Sequence, residues 1–303
     1  MKRGALAAAL LLACTLASAA PGIFFDDFSQ RDVAGLQSGG WLLRDRAGHP
    51  GIEGAAWSAA GISLVDDPAR PGNRLLRLTG ATDGTGPGTQ QVQLCHQRKY
   101  LEGTYAARVR FSDEPASGRD GDPVIQTFYV VSPLKHDFDP EFSELDWEYL
   151  ANGGWGKPET RLYGITWQTV QMEPWNAFNA AHEEVRSLKG WHVLLMQVAG
   201  GQTRWFVDGR QVAQHGGRNY PVVPMAIAFS MWFSPPSEVP VPLPTGGEPR
   251  VYQEDVDWVF HARNTVLDTA QVQARVNALR RQGASRVDTV PAAQPALESR
   301  CDF

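Results

Sequence analysis

The chain has 303 residues, enough for one large all-β domain or two average ones, with a substantial core. Its formal net charge of −5 gives no reason to expect a nucleic acid or an anionic membrane surface as partner. Aromatic residues make up 10%, including ten Trp, some of which a core will take.

The chain opens on Lys2 and Arg3, continues through the apolar stretch 5–13, and reaches the small residues Ala17-Ser18-Ala19. This pattern predicts a signal peptide over 1–19, cleaved near Ala20, and places the mature protein in the secreted or periplasmic space. The alternative is a lipoprotein box, Leu11-Leu12-Ala13-Cys14, with Cys14 lipidated, although Leu12 is an unusual residue there. No later segment is apolar enough to cross a membrane. Without the leader, Cys95 and Cys301 remain. Export makes a bridge between them possible, and two free thiols are the other reading.

From residue 23 onward, short apolar runs alternate with Gly, Pro, Asp and Asn, which is an all-β pattern. Candidate strands fall at 23–28, 75–79, 92–96, 104–111, 124–132 and 143–150. Further ones fall at 162–170, 191–199, 203–207, 211–214, 225–233 and 256–262. Gly200-Gly201 and Asp208-Gly209 sit between apolar runs and signal hairpins. About a dozen strands predict a two-sheet sandwich in one domain spanning 20–265. The stretches 113–122, 173–184 and the Pro-rich 234–248 read as loops, of the kind that shape a cleft at the rim of a sheet. Beyond them, Asp268 as N-cap, Gln271 three residues on, Val272, Val276 and Leu279 on one face, and Gly283 as terminator predict an amphipathic helix over 268–282. It belongs to a C-terminal helix and tail, 266–303. The residues after 285 look weakly ordered unless Cys301 tethers them.

The chemistry concentrates in Glu144-Leu145-Asp146-Trp147-Glu148. Alternate residues of a strand share a face, so the three acids project together while Leu145, Trp147 and Tyr149 point to the core. Three crowded acids raise the pKa of at least one, which suits a general acid near neutral pH. A retaining glycosidase needs two carboxyl groups about 5–5.5 Å apart, whereas i and i+4 α-carbons in a strand are about 13 Å apart. The side chains must therefore converge on a substrate lying across a concave sheet. Solvated charges, a calcium site or a lectin-like sandwich that binds sugar without cutting it are the competing readings. His182-Glu183-Glu184-Val185-Arg186 lacks the second His of a zincin helix, and no Gly-x-Ser-x-Gly elbow occurs.

The acidic run resembles the Glu-x-Asp-x-Glu signature of glycoside hydrolase family 16, the lichenase and laminarinase relatives. Other segments match in the family's order: Phe24-Phe25-Asp26-Asp27-Phe28 the opening strand, and Gly103-Thr104-Tyr105-Ala106-Ala107-Arg108 the Gly-x-x-Glu-x-Arg strand. Trp205-Phe206-Val207-Asp208-Gly209, the run from Pro224 to Trp232, and Asp257-Trp258-Val259 match the later hairpin, the Asn-x-Trp strand and the closing strand. The resemblance covers residues 24–262. It implies a jelly-roll (concanavalin-like) sandwich with a concave substrate face and a retaining endo-acting enzyme on a β-linked polysaccharide. By position Glu144 is the nucleophile, Glu148 the acid/base, and Asp146 the residue that tunes the nucleophile. A transglycosylase using the same residues, or a polysaccharide-binding module without turnover, are the alternatives. The single residue between Asp146 and Glu148 resembles the unbulged form of lichenases and xyloglucan transglycosylases. Trp232 by its match, then Phe142, Trp167, Trp175 and Arg108, are expected to contact sugar; for Arg108 an ion pair is the alternative, and for the three aromatics packing is. Ala106 and Ser230 replace a Glu and an Asn that help line the cleft in the family, so substrate identity departs from the pattern. The chemistry requires no cofactor. A structural calcium on the convex side, held partly through Asp257, is implied by the family, and a monomer is expected.

Overall fold

The computed structural model describes residues 22–301. The expected signal peptide and the alternative lipidation at Cys14 lie outside the described residues. Seventeen strands are present among those described, with 3-10 turns and two α-helices. Strands β1 (Ile23–Asp26), β2 (Trp41–Leu43), β3 (Ala56–Trp57), β4 (Ile62–Asp66), β5 (Arg74–Thr82), β6 (Gln90–His96), β7 (Gly103–Phe111) and β8 (Val124–Val131) precede the acidic strand β9 (Glu144–Leu150). Strands β10 (Arg161–Gln171), β11 (Asn176–Glu184), β12 (Gly190–Ala199), β13 (Gln202–Val207), β14 (Arg210–Gly216), β15 (Ala226–Phe233), β16 (Arg250–Arg263) and β17 (Arg286–Asp288) follow. Helix α1 (Val33–Ser38) lies between β1 and β2, and α2 (Thr269–Arg281) follows β16.

The strands form two antiparallel layers. The first, called the inner layer, runs β2, β6, β15, β8, β9, β10, β11. The second, the outer layer, runs β4, β5, β16, β7, β12, β13, β14, with β1 beside the end of β16 and β17 beside β1. Strand β6 joins them: Gln90 pairs with β3 and β5, while its later residues pair with β2 and β15. The core between the layers follows from strand parity. Leu145, Trp147 and Tyr149 of β9 are fully buried, Trp147 meeting Trp205 edge-on at 4.9 Å and Tyr149 stacking on Phe111 at 4.6 Å. The chain is an all-β jelly-roll sandwich with a helix near its C-terminus.

Both glycine turns behave as the sequence suggests. Gly200 and Gly201, and likewise Asp208 and Gly209, have positive φ between paired strands, the handedness that matches strand twist in a two-residue hairpin. The expected loop 173–184 is instead mostly the strand β11. Its residues show no apolar alternation because it is a largely exposed ribbon that pairs along β10, held by ladder hydrogen bonds rather than by burial. The closing strand is longer than 256–262, and it carries a bulge between Val256 and Trp258. The extra residue lets Asp257 and Trp258 both leave the core for the outer face.

Helix α2 forms as its caps dictate: Asp268 and Gln271 make a reciprocal capping box. Val272 and Val276 are fully buried against Ala106, Leu195, Trp258 and Phe260 on the outer face of the second layer. The tail beyond it is pinned: β17 pairs with β1, and Cys95 and Cys301 form a disulfide with a Cα–Cα distance of 5.2 Å.

Candidate active site

The inner layer carries a cavity of about 730 Å³ whose lining includes Glu144, Asp146 and Glu148. Strand β9 is paired without a register shift along its whole length, to β8 on one side and β10 on the other. This regular ladder is what places all three acids on one face, as the unbulged motif implies. Their exposures are only 6%, 5% and 9%. Burial is therefore the dominant force on their protons. It raises Glu148 to about 8. Burial, then the charge of Glu148, holds Glu144 well above the usual carboxylate range. Burial, then the charges of Glu144 and Glu148, raises Asp146, against a lowering bond from Trp167. The three titrate as one unit, and they cannot all be ionised cheaply at neutral pH.

Trp167 on β10 stands opposite Glu144, and its indole Nε1 donates diagonally to Asp146 Oδ2. Asp146 Oδ1 is buried and has no hydrogen-bond partner among the described residues. A protonated neighbouring carboxyl can satisfy that acceptor.

Aromatic rings flank the acids at both ends of β9. At the Glu148 end, Tyr163 lies across the ladder, Trp155 is 5.2 Å from it, and Trp232 is 6.3 Å from Trp155. At the Glu144 end, Trp175 meets Trp167 edge-on at 6.1 Å and stacks on His49 at 5.6 Å. Of the residues expected to contact sugar, Trp232, Trp167 and Trp175 line the cavity. Trp155, Tyr163 and Tyr129 line it as well and were missed. Parity was the available signal: Tyr163 shares a face with Trp167, and Tyr129 stands opposite Asp146. Trp155 had another signal, a large aromatic inside Gly153-Gly154-Trp155-Gly156, where it adopts a φ of 53°.

Two expected sugar contacts lie elsewhere. Phe142 is not part of the cavity wall; it is 2% exposed and packs with Tyr129, Val170 and Ala226. It keeps the parity with Glu144, since Tyr129 and Val131, which it packs with, stand opposite Asp146 and Glu144, but its neighbours cover the ring and keep it out of the cavity. Arg108 is on the outer layer, stacked 4.2 Å above Trp191, with Nη1 2.8 Å from Asp257 Oδ2. The ion pair is its role. Ala106 shares that outer face and packs beneath α2, so its departure from the family pattern does not alter the cleft. Ser230 does line the cleft, hydrogen-bonded to Thr127 at 2.8 Å.

Asp257 does not fit a calcium site. Arg70, Arg108 and Arg280 place guanidinium nitrogens 3.0, 2.8 and 2.9 Å from its carboxylate, and Asn73 Nδ2 donates at 2.9 Å. Burial works to raise its pKa, but the bonds and charges from Arg280, Asn73 and Arg70 outweigh it and hold the carboxyl below its usual range. Three cations around one carboxylate repel a divalent ion where calcium needs a cage of oxygens. No group of metal-binding side chains occurs among the described residues.

The architecture has known counterparts. A β-glucanase of Bacillus licheniformis superposes with a TM-score of 0.54 at 16% identity, covering 80% of this chain and 99% of that one. A family 16 glycoside hydrolase from Bacteroides ovatus, solved with a mixed-linkage glucan product, gives a TM-score of 0.58 at 14% identity, covering 78% and 98%. The fold is that of family 16 glycoside hydrolases. An endo-acting O-glycanase of the human gut microbiota that initiates mucin breakdown shares it at a TM-score of 0.56 and 10% identity, covering 84% and 92%. No protein-family model matches the chain, and no curated protein matches it.

Proposed function

We propose that the protein is an exported, retaining endo-β-glycan hydrolase in which Glu144 is the nucleophile and Glu148 the acid/base. The observation that carries this reading is the set of three alternate carboxyls of β9 on the floor of an aromatic-lined cavity, each pushed toward its protonated form by burial. A solvated strand face would not be buried, and a lectin gains nothing from carboxyl groups that cost energy to hide. The cavity extends to both sides of the acids, from Gln93 on β6 to Asn179 and Ala181 on β11, which suits a chain that crosses the strands and is cut internally. The Cys95–Cys301 disulfide supports export, since such bonds persist in oxidising compartments.

In the first step Glu148 gives its proton to the glycosidic oxygen while Glu144 attacks the anomeric carbon, releasing one half of the chain and leaving the other as an ester on Glu144. Glu148, now ionised, takes a proton from water, which attacks the same carbon and frees Glu144. The division of labour between the two rests on their order in the motif, because burial raises both. Asp146, fixed by Trp167, sits between them on the same strand face.

The test uses mixed-linkage β-glucan, the glycan of the Bacteroides ovatus counterpart, alongside laminarin, xyloglucan and a galactan. Glu144→Gln and Glu148→Gln should each lower kcat by about 10²–10⁴-fold or more on the glycan that is cleaved, with the thermal transition retained. Full activity in either variant overturns the assignment.

A further inference from the structure

The register of the inner layer draws a line straight across the cleft. Asp146 stands opposite Tyr129, Tyr129 opposite Ala228, Ala228 opposite Cys95, and Cys95 opposite Leu42. Three strand spacings, about 14 Å, separate the acidic strand from Cys95 along that line, the length of a short oligosaccharide. Cys95 carries Cys301 by its disulfide, and Cys301 is part of the cavity wall. The bed beneath it is small: Ala226 and Ala228 on β15 pack in one cluster with both cysteines.

Two further bonds hold this piece of chain. The Ser299 hydroxyl accepts from the backbone N–H of Arg98 at 2.8 Å. The Gln93 side-chain amide donates both to the carbonyl of Cys301 and to the hydroxyl of Tyr129, the residue facing Asp146. The tail is thus tied to the cleft floor and, through Gln93, to the row of side chains beside the acids.

We infer that the disulfide-held segment 297–301 is the end wall of the cleft on the β6 side, and that it limits how many sugar units of a β-linked chain are engaged there. This rests on the reading of the cavity as a glycan site. A chain running across the strands meets the segment about three strands from β9. Bound length on that side is then a property of the tether and not of the sheet, which continues to β2.

The experiment compares two full-length proteins, both carrying Glu148→Gln so that ligand is not consumed. One keeps the disulfide and the other also carries Cys95→Ser and Cys301→Ser. Mixed-linkage β-glucan oligosaccharides of increasing length are titrated calorimetrically into each. With the disulfide, affinity should stop improving at a defined length. Without it, affinity should continue to improve for at least one further sugar, so that the longest oligosaccharide binds several-fold tighter than to the tethered form. The same plateau length in both proteins overturns the inference. If the serine variant does not fold, dithiothreitol reduction of the folded, tethered protein supplies the comparison, with the same two outcomes. Failure of the parent enzyme to cleave any glycan would count against the catalytic reading alone, because the plateau is measured without turnover.

Discussion

The three carboxyls of β9 titrate together, and the value near 8 at Glu148 marks where the set gives up a proton as pH rises. Hydrolysis should therefore fall on the alkaline side with an apparent pKa near 8, and a pH profile of kcat/KM checks this. The same shift has a sign in stability. The folded protein binds a proton at Glu148 that the unfolded chain releases near the ordinary value of 4.5, so this site weakens folding progressively as pH rises from about 4.5 to about 8. Glu144 and Asp146 are displaced in the same direction. Glu148→Gln, which removes the charge and keeps the shape, should raise the melting temperature at pH 8.5 by more than at pH 5. The gain at the higher pH is expected to be about 2–4 °C or more, from the usual relation of about 1 kcal/mol to Tm for a domain of this size. An equal change at both pH values would show that the site carries no such burden.

At the scale of elements, the outer face is as specific as the cleft, and it was the harder to read. The capping box and apolar stripe of α2 follow directly from local chemistry, and the structure has both. The bulge at Asp257 does not, because it depends on pairing between β16 and β7, residues far apart in sequence. Without the bulge, a regular strand predicts Asp257 on one face and Trp258 on the other. With it, the carboxylate gathers Arg70, Arg108 and Arg280 and so fastens the last turn of α2 to the sheet. Asp257→Ala strips a buried charge from its partners and should cost about 3–5 kcal/mol in urea unfolding. Chelator or added calcium should leave the transition of the parent protein where it is; a calcium-dependent rise in melting temperature would reinstate a metal on this fold. Strand β11 failed to show in the sequence for the converse reason, since an exposed ribbon needs no apolar period.

For the whole molecule, the sandwich was legible because its strands are bounded by Gly, Pro and Asp, and because β9 alternates acids with Leu145, Trp147 and Tyr149. Periodicity alone left the acids with several readings; their burial in a cavity removed the solvated one. The cleft's wall was only half visible. Trp232, Trp167 and Trp175 announced themselves by type or match, while Tyr129, Gln93 and Cys301 become a wall only when β6, β15 and β8 are laid side by side. Phe142 has the facing that parity predicts but is covered by its neighbours, and Arg108 was misplaced by motif position, a guide that holds only on a known layer. The proposed mechanism requires Glu144 to form a covalent bond to the sugar. Peptide mass mapping after incubation with an activated 2-deoxy-2-fluoro glycoside of a β-glucan oligosaccharide tests it most directly. One sugar adduct is expected on the peptide containing Glu144, absent in Glu144→Gln. Turnover of the reagent with no adduct, or an adduct on Glu148, would contradict it.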